Sequence, residues 1–161
     1  MNAVKIEIRS DPSEEEKALI FNQLVEFNQS QVGDSKRRDF GIFASDETGS
    51  TVGGLLGFIH WNGCFISTLW IAEPFRRKGI GRQLLTKAEE WAVQNECGHI
   101  HLDTFDFQAR GFYEKSGFHV FGTIEDYPIG HQRFYLIKRL RNISPPGHRQ
   151  AQDGDGTGQI V

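Results

Sequence analysis

The chain has 161 residues, 38% of them hydrophobic, with 13 Phe and 3 Trp, enough apolar volume for one domain with a real core. Eighteen Lys and Arg against 21 Asp and Glu give a net charge of −3, which argues against a nucleic-acid-binding domain with a broad basic face. No apolar run approaches the ~20 residues of a membrane span. The opening MNAVKIEIRSDPSEEE turns charged too early for a secretory leader, so a cytoplasmic protein with no membrane partner is expected.

Taken in order, residues 3–10 alternate Val4, Ile6, Ile8 with Lys5, Glu7, Arg9, the pattern of a half-exposed strand. Ser13 and Glu16 form a capping box at the head of a helix running to about Gln31, with Leu19, Ile20, Leu24 and Phe27 expected inward. Strands are expected over 38–45, 51–61 and 64–72, joined by a turn at 46–50 and a tight turn at Asn62-Gly63. Gly53, Gly54 and Gly57 inside the second of these suggest a bulge or a close backbone approach. A helix follows over 81–95, with Gly98 as its expected cap, and then a strand over 99–105. The strands on either side of this helix should be parallel, with a right-handed crossover. A short helix over 108–116, ended by Gly117, precedes strands over 118–125 and 132–140. The fold class is therefore α/β (α+β), a mixed central sheet of about 6–7 strands with helices on both faces, in the order β-α-β-β-β-α-β-α-β-β. One domain over 1–141 is expected. Residues 142–161, with two prolines, four glycines and almost nothing to bury, read as a disordered tail.

The stretch 67–92 organises the rest. A strand leads into Arg76-Arg77-Lys78-Gly79-Ile80-Gly81, and from Arg82 the period becomes helical, with Leu84, Leu85, Ala88, Trp91 and Ala92 on one face. The first amides of a helix have no partner within it, and its N-terminus carries partial positive charge. Glycines let backbone bend around an anion, and three cations add attraction, so a phosphate or pyrophosphate is the natural ligand. The bland alternative is a solvated basic turn before an ordinary amphipathic helix. Cys64 and Cys97 show no metal-ligand spacing and make no disulfide framework, so reduced, inert thiols and no metal are expected.

The loop after LWIAEP resembles the acyl-CoA-binding signature of the GNAT superfamily of N-acetyltransferases. A second stretch, Ala109-Arg110-Gly111-Phe112-Tyr113-Glu114-Lys115-Ser116-Gly117-Phe118, is similar to that family's A-x-x-(L/F)-Y-x-x-x-G-F. The resemblance runs over roughly 4–140. It implies that amides of Arg77, Lys78, Gly79, Ile80 and Gly81, with Arg76 and Arg82 nearby, hold the pyrophosphate of acetyl-CoA. It implies that Leu69, Trp70 and Ile71 pair with the pantetheine arm while strand 99–105 splays away. Acetyl-CoA is then a co-substrate in direct attack by an amine within a ternary complex.

Tyr113 stands where the family's general acid stands. The leaving CoA thiolate needs a proton, or at least a hydrogen bond, and Tyr113 is the candidate donor. The alternative is a packed Tyr beside Phe112. Many members carry a carboxylate on the central strand, where this chain has Ser67 and Thr68, so no direct base is visible. Asp103 is a candidate base or amine-binding group, and a structural hydrogen bond is its alternative. Glu125, Asp126 and His131 flank a loop that could line an acceptor site, although lone histidines are more often structural. These acidic groups suit a small cationic amine. A protein or peptide N-acetyltransferase, or a non-catalytic acyl-CoA-binding module, stays open, as does the homodimer that many relatives form.

Overall fold

Short apolar runs bounded by turn residues become six strands in the computed structural model, which describes residues 4–140. The elements are α1 (Glu14–Val32), β1 (Arg38–Ser45), β2 (Thr51–His60), β3 (Gly63–Ile71), α2 (Ile80–Gln94), β4 (His99–Phe105), α3 (Arg110–Lys115), β5 (His119–Ile124) and β6 (Arg133–Arg139). The sheet runs in the order β1-β2-β3-β4-β6-β5. Among the described residues only β3 and β4 pair in parallel, as expected for two strands joined through a helix. The tail expected at 142–161 lies outside the described residues.

One face of the sheet carries the core. Leu55 and Ile59 of β2, Cys64 and Ile66 of β3, Ile100 and Leu102 of β4, and Phe134 and Leu136 of β6 meet Leu84, Leu85, Ala88 and Ala92 of α2. The period-two alternation of the strands and the helical stripe of α2 select these residues. Each fully buried Leu here contributes about 1.5–3 kcal/mol. Tyr113 of α3 and Phe118 close the same cluster, so α2 and α3 share one face. The cysteines are buried and free, and burial pushes the Cys64 thiol up to about 12, consistent with inert packing residues.

The N-terminal region departs from expectation. Residues 4–10 form no strand, and Val4, Ile6 and Ile8 are 87%, 93% and 98% exposed. Alternation supplies a face to bury, but a strand also needs an edge to pair with, and this segment pairs with none. Arg9 instead ties it to Glu7 and to Glu16 in the first turn of α1. The expected capping box of Ser13 and Glu16 is formed. The expected inward residues Leu19, Ile20, Leu24 and Phe27 are each more than half exposed, and α1 buries no residue, so it covers no second face.

Turn chemistry is resolved in finer detail. Asp46 Oδ1 accepts bonds from the amides of Thr48 and Ser50 and from the Thr48 hydroxyl, closing β1 onto β2. At the next turn Gly63 already pairs with His60, and Trp61 carries the positive φ of 50°. Gly98 does not cap α2. The helix stops at Gln94, and Glu96 takes the left-handed φ of 60°. Gly117 does leave α3 at φ 90°, as expected. No helix among the described residues is long and apolar enough to cross a membrane.

Candidate active site

A single extra residue opens the sheet. Leu56 pairs with Thr68 while Gly57 pairs with Ile66, so Ser67 bulges out of β3, and its hydroxyl donates to the Leu56 carbonyl at 3.2 Å. Gly57 makes this approach possible, because a Cβ there would lie 2.4 Å from the Phe65 carbonyl oxygen. A bulge bends its strand and ends local pairing. Accordingly β3 pairs with β4 only from Gly63 to Ile66, whereas β4 stays paired with β6 as far as Phe105. The two strands diverge beyond Ile66. The gap holds a cavity of about 250 Å³, lined among others by Ser67, Leu69, Asp103, Thr104, Gln108 and Tyr113.

The second feature is the entrance to α2. A single 3-10 turn at Glu73–Phe75 leads into the loop, where Arg77 and Gly79 take φ values of 61° and 82°. No side chain caps the helix. The amides of residues 77–82 find no hydrogen-bond acceptor among the described residues. Successive free amides at a helix N-terminus make a concave anion site. Nothing lies within 4 Å of a Cβ built on Gly79, whereas one on Gly81 would meet Ile71 Cδ1 and Phe112 Cζ at 3.2 Å. Gly81 thus lets α2 sit against β3 and α3, and Gly79 shapes the open side. Arg76 turns back, donating from Nε to the Ile71 carbonyl at 3.0 Å, and the Lys78 ammonium lies over the Phe75 ring.

Tyr113 is 7% exposed and packs edge-on against Phe112 and Phe118. Its hydroxyl has no hydrogen-bond partner among the described residues, and Tyr113 is one of the residues that line the cavity. Burial raises its pKa, and the negative charge of Asp103 raises it further, so the phenol keeps its proton at neutral pH. Asp103 alternates with Leu102 and Thr104 of the core face, so it belongs to the opposite face of β4. The cavity therefore joins the two faces of the sheet, with Tyr113 on the helix side and Asp103 on the open side.

Two cavity neighbours carry no local sequence signal. The Gln108 side-chain carbonyl accepts bonds from the Thr104 hydroxyl at 3.0 Å and the Phe105 amide at 2.9 Å, which fixes the turn after β4. Arg133 donates to Asp103 Oδ1, with Nε at 2.8 Å. Strand pairing brings Arg133 to Asp103, whereas Gln108 reaches Thr104 and Phe105 within one local turn.

The remaining candidates stand elsewhere. Glu125 accepts from Gln132 at 2.6 Å, Asp126 accepts from the Gly130 amide at 3.3 Å, and His131 Nδ1 lies 3.0 Å from Asp106. None of the three lines the cavity of Tyr113 and Asp103, and neither do Trp70, Ile71 or residues 76–82. Glu125 and Asp126 make contacts within or beside their own loop, and His131 ties that loop to Asp106 in the turn after β4.

A strand that opens on its parallel neighbour, a helix entrance with free amides and a buried Tyr at the gap define the architecture of an acyltransferase. The acetyltransferase (GNAT) family model matches residues 5–118. An acetyltransferase of Agrobacterium fabrum is 33% identical over 128 residues, 80% of this chain and 93% of that protein. Blasticidin-S acetyltransferase of Streptomyces morookaense is 36% identical over 102 residues, 63% of this chain and 75% of that protein. The crystal structure of an acetyltransferase from Bacillus cereus superposes with a TM-score of 0.78 at 31% identity, covering 83% of this chain and 98% of that one. The chain belongs to the acetyltransferase (GNAT) family. It is an acetyl-CoA-dependent acetyltransferase, and its mixed sheet is the fold of that family.

Proposed function

We propose that the chain acetylates a primary amine of a small cationic molecule, by direct attack of the amine on acetyl-CoA in a ternary complex. The observation that supports this reading is the cavity lined by both Asp103, of the open face of the sheet, and Tyr113, of the helix side. A relative named for a small acceptor, blasticidin S, supports the substrate class.

The free amides of residues 77–82 would hold the pyrophosphate, and the unpaired outer edge of β3 at Leu69, Trp70 and Ile71 would align the pantetheine arm. The acetyl group then points into the gap. The acceptor approaches from the open face, where Asp103 binds its ammonium. Attack requires the neutral amine, which sheds one proton to solvent before the C–N bond forms, with reacting atoms at about 3–3.5 Å. A backbone N–H of the unpaired β3 edge stabilises charge on the carbonyl oxygen. As the C–S bond breaks, Tyr113 gives its proton to the leaving thiolate, and the proton lost by the acylated nitrogen returns through water to the Tyr113 oxygen, so the products are the amide, the CoA thiol and a neutral phenol. Asp103 serves here as an amine-binding group rather than as a base.

The test is release of the CoA thiol from acetyl-CoA with blasticidin S, L-ornithine, spermidine and a peptide with a free N-terminus. At least one small amine should accelerate release well above hydrolysis. Acceleration by the peptide alone would move the acceptor class to proteins. Acetyl-CoA binding with no acceleration by any amine would leave a non-catalytic module.

A further inference from the structure

Arg133 is built into the acceptor side of the cavity in a way that ordinary ion pairing does not require. Asp103 stands opposite Tyr135 in the β4–β6 ladder, and Arg133 stands opposite Phe105, so the two ionic partners are diagonal neighbours on the open face. The Arg133 guanidinium faces three rings, Phe105, Tyr127 and Tyr135, at 5.3, 5.5 and 5.6 Å. Both its Nε, at 2.8 Å, and its Nη2, at 2.6 Å, reach the same carboxylate oxygen, Oδ1. A guanidinium in free solution prefers to fork across both oxygens of a carboxylate. Here Oδ2 takes no hydrogen bond among the described residues, and both side chains are less than about a third exposed.

We propose that Arg133 is the positioning residue of the acceptor site: it locks Asp103 through Oδ1 and thereby leaves Oδ2 preset for the ammonium of the amine. The inference rests on the amine-binding reading of Asp103 given above. The physical basis is preorganisation. A free Asp side chain samples several rotamers, and a carboxylate fixed beforehand loses less freedom when the amine arrives. The three rings hold the guanidinium in place, so the lock does not depend on the ion pair alone. The opposite effect, a fixed cation repelling a cationic acceptor, is what the experiment must separate. Arg133 touches neither reacting atom in this scheme and acts only through Asp103.

The experiment compares wild type, Arg133→Gln, Arg133→Lys, Asp103→Asn and the Arg133→Gln/Asp103→Asn double variant. CoA release is followed with blasticidin S, L-ornithine and spermidine, with separate KM values for amine and acetyl-CoA. Arg133→Gln should raise the amine KM by about tenfold or more and leave the acetyl-CoA KM within about twofold, the signature of lost acceptor positioning. Asp103→Asn should do the same, and the double variant should be no worse than Asp103→Asn within about twofold, because the two act as one unit. Arg133→Lys, a point charge without the planar fork, should fall between. Thermal melts report folding, and if Arg133→Gln does not fold, Arg133→Lys decides by an amine KM at least about threefold above wild type. An unchanged or lowered amine KM in Arg133→Gln, or a double variant showing the product of the single effects, overturns the inference. Wild type that turns over none of the amines overturns the acceptor reading itself, and this one with it. Active wild type with an indifferent Arg133→Gln overturns this one alone.

Discussion

Replacing Tyr113 by Phe removes one oxygen from the cavity wall and nothing else. The ring is 7% exposed and held edge-on by Phe112 and Phe118, contacts that Phe keeps. The hydroxyl makes no hydrogen bond among the described residues, so its loss leaves no buried partner unsatisfied. Stability should change by no more than about 0.5 kcal/mol, which for a chain of this size is about 1–2 °C in Tm. Activity should change far more. A positioned general acid is worth about 10²–10⁴-fold, or about 3–5 kcal/mol of barrier. Thiol release at saturating acetyl-CoA and amine should therefore show kcat lowered by about two decades or more, with the acetyl-CoA KM almost unmoved. Because burial and Asp103 raise the Tyr113 pKa, the wild-type acid should stay protonated beyond the ordinary phenol range near 10. A Tyr113→Phe variant that melts like wild type and keeps kcat within threefold would remove Tyr113 from the chemistry.

Other perturbations read other links of the chain from sequence to site. Gly57→Ala drives a Cβ to 2.4 Å from the Phe65 carbonyl oxygen and 2.9 Å from the Phe40 ring; overpacking of this kind costs about 1–3 kcal/mol, so Tm should fall by several degrees, as calorimetry would show. His99 and His101 are held below their ordinary value of 6.5, first by burial, then by Arg139 beside His99 and by His99 beside His101. The unfolded chain then binds more protons than the folded one, so stability should fall as pH drops below about 6.5. Urea midpoints at about pH 7.5 and about pH 5.5 test this, and the gap should narrow in a His99→Gln/His101→Gln variant. Ser13→Ala removes the cap of α1 and costs about 1 kcal/mol of local helix stability. Since α1 buries no residue, the helical circular dichroism should drop while the melt of the sheet stays put.

The central strand, basic loop and α2 were legible because three local signals coincide there: an apolar strand, two glycines at a bend, and the stripe Leu84, Leu85, Ala88, Ala92. The glycine at 57 also announced a close approach, though not that Ser67 would be the bulged residue or that the sheet would open beyond it. Residues 4–10 misled because alternation records what a segment can bury and not whether it docks on an edge, and the outer edge of β1 stays unpaired among the described residues. Gly98 misled because a left-handed exit needs only one residue with positive φ, and Glu96 took that place. Arg133 was invisible for a different reason. Arg133 lies 30 residues from Asp103, and only the β4–β6 ladder makes them neighbours. The loop residues Glu125, Asp126 and His131 drew attention by charge, and their side chains contact Gln132, the Gly130 amide and Asp106 rather than line the cavity of Tyr113.

Acetyl transfer by this chain requires that the entrance of α2 bind the diphosphate of the donor. Backbone 15N–1H spectra during titration with CoA measure this at the amides concerned. The largest shifts should fall on residues 77–82, with a second group along 69–71 of β3 and at the cavity lining near Tyr113. Saturable CoA binding that leaves the amides of 77–82 unmoved, while shifting another part of the chain, would contradict it.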